Sequence, residues 1–422
     1  MEKKIIIVLV FVLSVVVTAQ QKILIPMDVK QTNHLKAYGI AFWTLEKGVE
    51  IDWLLNYRGG SFMVDNVALV VNECRIRGVA FEQISGASAA HILGEIASEN
   101  NNMDVVRLEK APKVAVYVPP GFKPWDDAVT LALEYAEIPY TKLWDTEVLQ
   151  GKLSEFDWLH LHHEDFTGQY GKFYASHRNS PWYIEQQLSY EKTARELRFK
   201  KVAEQKKSVA RTIRDYVAGG GFMFAMCAAT DSYDIALAAD NVDIAETMFD
   251  GDPADRNAQQ KLDFSKSFAF QNFTLEMNPF RYEFSDIDNP PSDPVPLRDP
   301  NSDYFTLFEF SAKYDPVPTM LTQNHVSIVK GFMGQTTMFK KSLIKPSVIT
   351  LGEREGSDEV RYIHGNYGRG TFTFYGGHDP EDYQHAVGDP PTDLNLHKNS
   401  PGYRIILNNI LFPAAKKKLQ KT

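Results

Sequence analysis

From Lys113 onward the chain alternates short, continuously apolar runs with amphipathic stretches. Residues 114–118 are apolar throughout, end at Pro119-Pro120-Gly121, and are followed by a helical pattern over residues 125–137. Residues 140–144, a short helix, and residues 156–162 continue the series. Strands that are apolar on both sides lie beneath helices on both faces, and repeated strand, crossover helix and strand units predict a parallel sheet. A polar helical stretch over residues 183–218 follows, with Val202, Val209, Ile213 and Val217 on one stripe. Gly219-Gly220-Gly221 ends it, residues 222–226 form the next strand, and that strand runs into Cys227 and a helix expected from about Ser232. Residues 242–346 break the rhythm. Strands are expected again over residues 347–351, 359–364 and 371–375, with a Tyr367-Gly368-Arg369-Gly370 turn before the last.

The first part of the chain has a different texture. Short branched or apolar runs at residues 23–25, 68–71 and 79–81 alternate with a helical stretch at 89–98, and Asn100-Asn101-Asn102 marks a break. The expected architecture is α/β: a flavodoxin-like parallel sheet with helices on both faces from residues 111–244 and 347–414, preceded by a small N-terminal α/β domain over 20–110. Residues 245–346, with a Pro-rich section at 289–300, are too long for a bare loop and are expected to form an inserted lobe; residues 415–422 form a basic tail. Residues 1–19 have a basic start at Glu2-Lys3-Lys4, an apolar run over 5–17 and Ala19 at the expected cut, the pattern of a signal peptide. That run falls short of the roughly 20 residues needed to cross a bilayer, so a periplasmic or secreted protein with no membrane attachment after cleavage is expected.

Composition narrows the function classes. With 422 residues, 44% hydrophobic and 23% charged, the chain is a packed globular protein and not a disordered one. A net charge of -9 without a concentrated basic face excludes nucleic acid as the expected partner, leaving a small-molecule, sugar or peptide ligand. Cys74 and Cys227 are the only cysteines, so no disulfide framework holds the fold; a single bridge between them is the alternative to a free thiol at Cys227.

Ala225-Met226-Cys227-Ala228-Ala229 has small residues two positions either side of a nucleophile, the spacing of a strained strand-to-helix elbow. The turn places Cys227 at a helix amino terminus, where backbone N–H groups such as that of Ala228 face a developing oxyanion. A thiol of pKa ~8.5 is only about 3% thiolate at pH 7, and a helix end supplies about 0.3–1 kcal/mol, too little to activate it alone. A base is therefore required. His378, at the carboxyl end of the strand over 371–375, is the candidate, with Asp379 or Glu381 as the carboxylate that orients it. The bland alternative is a buried structural thiol and a turn histidine.

Residues 219–227, and Tyr367-Gly368-Arg369-Gly370 through Gly377-His378-Asp379-Pro380-Glu381, resemble the nucleophile and histidine motifs of the class I glutamine amidotransferase-like superfamily, and the final part is similar to its ThuA-like, trehalose-utilisation branch. The resemblance covers about residues 113–240 and 347–413. It implies Cys227 as nucleophile, His378 as base and Glu381 or Asp379 as carboxylate. The superfamily pattern is His-x-Glu, whereas here Glu381 stands three residues after His378 and Asp379 directly follows it, a departure at the third member on which glutaminase activity depends. The whole chain also looks like exported proteins of Bacteroidetes-type bacteria described as asparagine synthetase. ATP-dependent synthesis of that type needs an amino-terminal Cys and a Ser-Gly-Gly-x-Asp-Ser loop, and this sequence has neither.

A second constellation is Trp158-Leu159-His160-Leu161-His162-His163-Glu164-Asp165. On a strand, His160 and His162 share a face, and the segment after them lies at the sheet's carboxyl edge, where ligands bind in open α/β folds. His160, His162, His163 and Glu164 are expected to wall the pocket. A divalent metal on His162, His163 and Glu164, with His378 as a remote ligand, is the alternative; no cofactor is otherwise implied. The carboxylates from Asp231 to Asp252 lack calcium-loop spacing and read as surface charge, and the Phe264–Phe280 aromatics as lobe core. The leading expectation is an exported cysteine-dependent hydrolase or acyl transferase acting on an amide or ester. Its alternatives are a non-catalytic carbohydrate- or peptide-binding protein on the same fold, or a metal-dependent hydrolase using the His-rich strand end.

Overall fold

The computed structural model describes residues 21–120, 127–288, 303–315, 318–330, 338–382 and 390–416. The signal segment, Gly121, the expected helix start at Trp125, the Pro-rich section and the tail beyond Lys416 lie outside the described residues. No helix among the described residues is long and apolar enough to cross a membrane.

The N-terminal unit is built on β1 (Lys22–Ile25), β2 (Ile51–Leu55), β3 (Ser61–Asp65), β4 (Glu82–Ile84) and β5 (Asp104–Leu108), in the order β4-β1-β3-β2-β5 with every pair antiparallel. Its period of two is visible in the burial. Ile23, Ile25, Trp53, Phe62 and Val64 face the core shared with the helix His34–Glu46, while Leu24, Leu54 and Met63 face Ala89, Ile92 and Ile96 of the helix Gly86–Ala97. Two of the short apolar runs do not form strands. Residues 68–71 open the helix Ala68–Arg77, with Leu69 exposed and Val70, Val71 and Cys74 buried, and the strand after it is β4, beyond residues 79–81. A four-residue apolar run carries no period, so pattern alone could not separate helix from strand there.

The second sheet contains β6 (Val114–Tyr117), β7 (Thr141–Leu143), β8 (Trp158–Leu161), β9 (Phe222–Met226), β10 (Tyr304–Leu307), β11 (Ile328–Lys330), β12 (Phe339–Lys340), β13 (Ile349–Glu353), β14 (Glu359–Tyr367) and β15 (Gly370–Tyr375). Their order is β11-β10-β13-β14-β15-β9-β8-β6-β7, with β12 on β14. The block β15-β9-β8-β6-β7 is parallel, as expected. Beyond β15 the sheet becomes antiparallel, because β14 returns into β15 through a tight turn and the inserted segment adds β10, β11 and β12 to the same sheet. The fold is thus a mixed α/β sheet beside a separate antiparallel one, and the insertion lengthens the central sheet. Gly368 in the turn sits at φ 60, and a Cβ there would lie 2.7 Å from the Ala218 backbone. The single long helix expected over residues 183–218 is two, Pro181–Glu196 and Val202–Ala218, broken at Arg198 with φ 66.

The two units share one core. The helix His34–Glu46 packs on the helices Ala128–Ala136 and Pro401–Leu411. A Cβ on Gly39 would meet the Ala136 carbonyl at 1.9 Å, and this closeness sets the helix spacing. Buried Arg404 pins the junction: its guanidinium donates to Tyr38 Oη (3.0 Å), the Met27 carbonyl (3.1 Å) and the Gly59 carbonyl, and lies 3.3 Å from His325 Nδ1. His325 stacks on His34 with ring centroids 4.2 Å apart.

Burial, then the nearby Arg404 charge, depresses His34 to about 4; burial, then His34 and Arg404, depresses His325 to about 3. Below the unfolded histidine value of roughly 6.5 the unfolded chain binds protons that the folded chain refuses, so stability falls on acidification toward pH 4. For His34 the loss by pH 5 is on the order of 1–2 kcal/mol after allowance for screening. Urea midpoints measured from pH 7.5 to 5 are expected to decline, and a His34→Asn/His325→Asn double variant to decline less. Equal slopes for the two proteins would place the acid sensitivity elsewhere.

Candidate functional site

The carboxyl ends of β8, β9 and β15 meet at Cys227. This residue sits between β9 and the helix Ala228–Ala238 at φ 49, ψ -140, a conformation that costs of order 1–3 kcal/mol for a residue with a Cβ. The small neighbours Ala225, Ala228 and Ala229 are buried around it. Cys227 N–H donates to the Gly377 carbonyl (3.0 Å), Ala229 N–H to the His162 carbonyl (2.9 Å), and Thr230 Oγ1 to the Cys227 carbonyl (2.7 Å). The helix begins at Ala228, earlier than the expected Ser232, because the elbow itself starts it.

The sulfur belongs to a residue only 3% exposed. Burial pushes the thiol up to about 12; the Ala228 N–H opposes this, and the carboxylates of Asp231, Glu164 and Asp288 add to it. The inserted segment reaches the elbow at Tyr282, whose phenol is pushed above its usual value first by burial and then by Cys227. Cys74 is also a free, buried thiol, packed in a different core cluster, so the bridge weighed as an alternative does not form.

The histidine segment is where the geometry is densest. His160, in β8, is fully buried, with Nδ1 3.2 Å from the Phe224 carbonyl and Nε2 3.1 Å from Asp127 Oδ1. His162, just past the strand, is also fully buried; its Nδ1 lies 3.8 Å from the same Asp127 oxygen, and neither ring nitrogen has a hydrogen-bond partner among the described residues. Burial holds its imidazole well below the ordinary histidine value, hence neutral. The rings of His163 and His378 lie parallel, at 4° and 5.9 Å between centroids, and the His162 ring stands perpendicular to both at 4.8 Å from each. One ring nitrogen from each of these three histidines lies within 4.8 Å of the other two.

Asp127 is the residue that the sequence pattern missed. It is the N-cap of the helix Ala128–Ala136, accepting from Val129 N–H (2.9 Å) and Thr130 N–H (3.0 Å). Burial opposes its charge, but the adjacent His160 and His162 imidazoles and the Thr130 N–H hold the carboxyl below the usual range. An Asp one residue before a helical run, after an apolar strand, was the available signal; placing the helix start at Trp125 hid it inside the helix.

Three expected roles change. Glu164 accepts from His162 N–H (2.9 Å) and is pushed up to about 7, chiefly by burial, but it is not in the imidazole group, so His378 stands where Glu164 was expected. Its carboxylate folds back onto its own segment instead. Asp379 accepts from Glu381 N–H (2.9 Å), Thr392 Oγ1 (2.8 Å) and Tyr403 Oη (2.7 Å), and Glu381 pairs with His397 (3.1 Å). Glu381 also bonds Ser400, and both carboxylates thus anchor the segment before the helix Pro401–Leu411. Lys201 Nζ sits among Asp243 (2.7 Å), Asp250 (3.0 Å) and Asp252, an internal counter-ion for the acidic group. Buried Asp234 accepts from Phe268, Ala269 and Phe270 N–H groups at 2.7–2.8 Å and ties the insertion to the elbow helix. Phe268, Phe270 and Phe273 are core, as expected, whereas Phe280 is exposed.

No family model matches the chain, and no curated protein matches it in sequence. Two solved structures, the cytoplasmic proteins STM3548 and STM1381 of Salmonella typhimurium, are 9% and 11% identical, each over 72% of this chain and 100% of their own, with TM-scores of 0.35 and 0.36. The GH42 β-galactosidase Gan42B of G. stearothermophilus is 10% identical over 64% of this chain and 28% of its own, with a TM-score of 0.24. Likeness at these scores carries no functional argument.

Asp127 joins a helix cap to the histidine group, so its two services separate by substitution. Asp127→Ala is expected to cost about 2–4 kcal/mol in urea unfolding, from the lost cap and the stranded His160. Asp127→Asn keeps the cap and should cost less than half of that; equal losses would assign the whole effect to the charge and none to the cap.

Proposed function

We propose that the chain is a hydrolase or acyl transferase that works through Cys227 at the carboxyl edge of the parallel block. The observation that supports this reading is the backbone of Cys227: a non-glycine residue held at positive φ between strand and helix, at the cost of strain, with its side chain at the helix amino terminus. In this reading His378 takes the thiol proton and the sulfur adds to an amide or ester carbonyl. Ala228 N–H faces the oxyanion, since Ala229 N–H is already given to His162. The leaving amine or alcohol departs with the proton, and water or another acceptor resolves the thioester. The substrate is a small-molecule, sugar or peptide acyl compound met outside the cytoplasm once residues 1–19 are removed. No nucleic acid is involved.

A second reading has its own support. A thiol that is 3% exposed and pushed up to about 12 by burial is almost wholly protonated, which suits a protein that binds such a ligand without turnover. The two readings separate by adduct formation. Incubation with a panel of p-nitrophenyl esters, followed by intact-mass and peptide mapping, is expected to show an acyl group on Cys227 and a burst of p-nitrophenol. Cys227→Ala should show neither. A wild-type protein that binds the esters but never carries the adduct would leave the binding reading standing and end the catalytic one.

A further inference from the structure

We infer that His162, His163 and His378 form a three-imidazole site for a borderline divalent transition cation of the zinc class. This goes beyond the acyl-transfer reading and shares only His378 with it. One nitrogen from each ring already lies within 4.8 Å of the other two, and the rings approach from two chain segments fixed by neighbouring strands. Neutral imidazoles are the donors such cations select, and three protein ligands leave a coordination position for water or substrate.

The second observation is His162 itself. A fully buried imidazole with neither nitrogen hydrogen-bonded among the described residues is costly, because each polar atom has lost its water without replacement. A cation on Nε2 removes that cost. Nδ1 then carries the proton and faces Asp127 Oδ1 at 3.8 Å, a carboxylate placed to fix the tautomer and raise the basicity of the ligating nitrogen. Asp127 is in turn held by two backbone N–H groups and by His160, so the support behind the ligand is rigid. Lys201 fills the acidic group at Asp243, Asp250 and Asp252, whereas no Lys or Arg pairs with Asp127 among the described residues.

The cation and the thiol compete for His378. A lone pair given to the metal no longer accepts the Cys227 proton, so the loaded form is the one in which thioester chemistry is closed. Cation binding does not depend on the sulfur, which is outside the imidazole group.

The test uses tag-free full-length protein, stripped with chelator and titrated with ZnCl2 by calorimetry. One equivalent is expected to bind, and CoCl2 in its place to give a visible ligand-field band. His163→Gln and His378→Gln, close in size to histidine, should each weaken Zn2+ binding about 100-fold or more while leaving the thermal unfolding curve intact. Asp127→Asn should weaken it about 10–100-fold without changing the stoichiometry. Cys227→Ala should bind as wild type does, which keeps this outcome separate from the fate of the acyl-enzyme. Absence of uptake by folded wild type, or uptake that neither glutamine variant alters, overturns the proposal. So does loss of binding in Cys227→Ala alone, which would make the sulfur the donor.

Discussion

Two backbone hydrogen bonds at the Cys227 elbow hold the site together. Cys227 N–H reaches the Gly377 carbonyl and Ala229 N–H reaches the His162 carbonyl, so the ends of β8, β9 and β15 are tied across the first turn of a single helix. A regular strand or helix at residue 227 would aim those two donors elsewhere. Positive φ at a residue with a Cβ is the local cost of this junction, and the small side chains of Ala225, Ala228 and Ala229 let the turn close at that radius. The same pair of bonds sets the separation between His162 and His378, which no sequence proximity provides.

Around that junction the structure keeps polar groups in a dry layer. His160 and His162 are fully buried, Glu164 is pushed up to about 7 and the thiol to about 12, all with burial as the largest cause. Buried polar groups are tolerated when paired, and most here are: His160 with Asp127 and Phe224, Glu164 with its neighbour's N–H, Asp379 with Tyr403 and Thr392. Among the described residues His162 is an exception with both ring nitrogens unpaired, and it sits where three chain segments meet. Charges of one kind are also separated by function, since Asp379 and Glu381 stabilise the loop into the helix Pro401–Leu411 while Asp127 stands behind the imidazoles.

The legible part of the sequence was the parallel block. Residues 114–117 and 222–226 are apolar, and 158–161 are apolar apart from His160, because both of their faces are covered, and such runs between helical stretches admit few alternatives. The elbow was legible too, from small residues flanking Cys227 at the right distance. The antiparallel extension was not, because β10, β11 and β12 are short, lie in a segment without rhythm, and join the sheet only through long-range pairing. Residues 68–71 misled because four apolar residues fit either period. Glu164 was expected beside the imidazoles by adjacency in sequence, yet a chain leaving a strand end can turn a carboxylate back onto its own backbone. Asp127 was unreadable as a site residue because capping the next helix is reason enough for an Asp in that place.

Asp127 also explains how the N-terminal unit bears on the site. The helix that it caps, Ala128–Ala136, is buried between the central sheet and the helix His34–Glu46, and Gly39 against Ala136 brings the two helices to backbone contact. That helix cannot shift along its axis without opening the Gly39 contact. The carboxylate at its first turn is therefore positioned from both sides, by its own N–H donors at one end and by packing against residues 34–46 along its length. Arg404, reaching from the helix Pro401–Leu411 to the Met27 and Gly59 carbonyls, closes the same frame on its other side. A unit that supplies no side chain to the histidine group thus sets the position of the carboxylate behind it, and the precision of the group depends on a junction built from glycine, arginine and two stacked, neutral histidines.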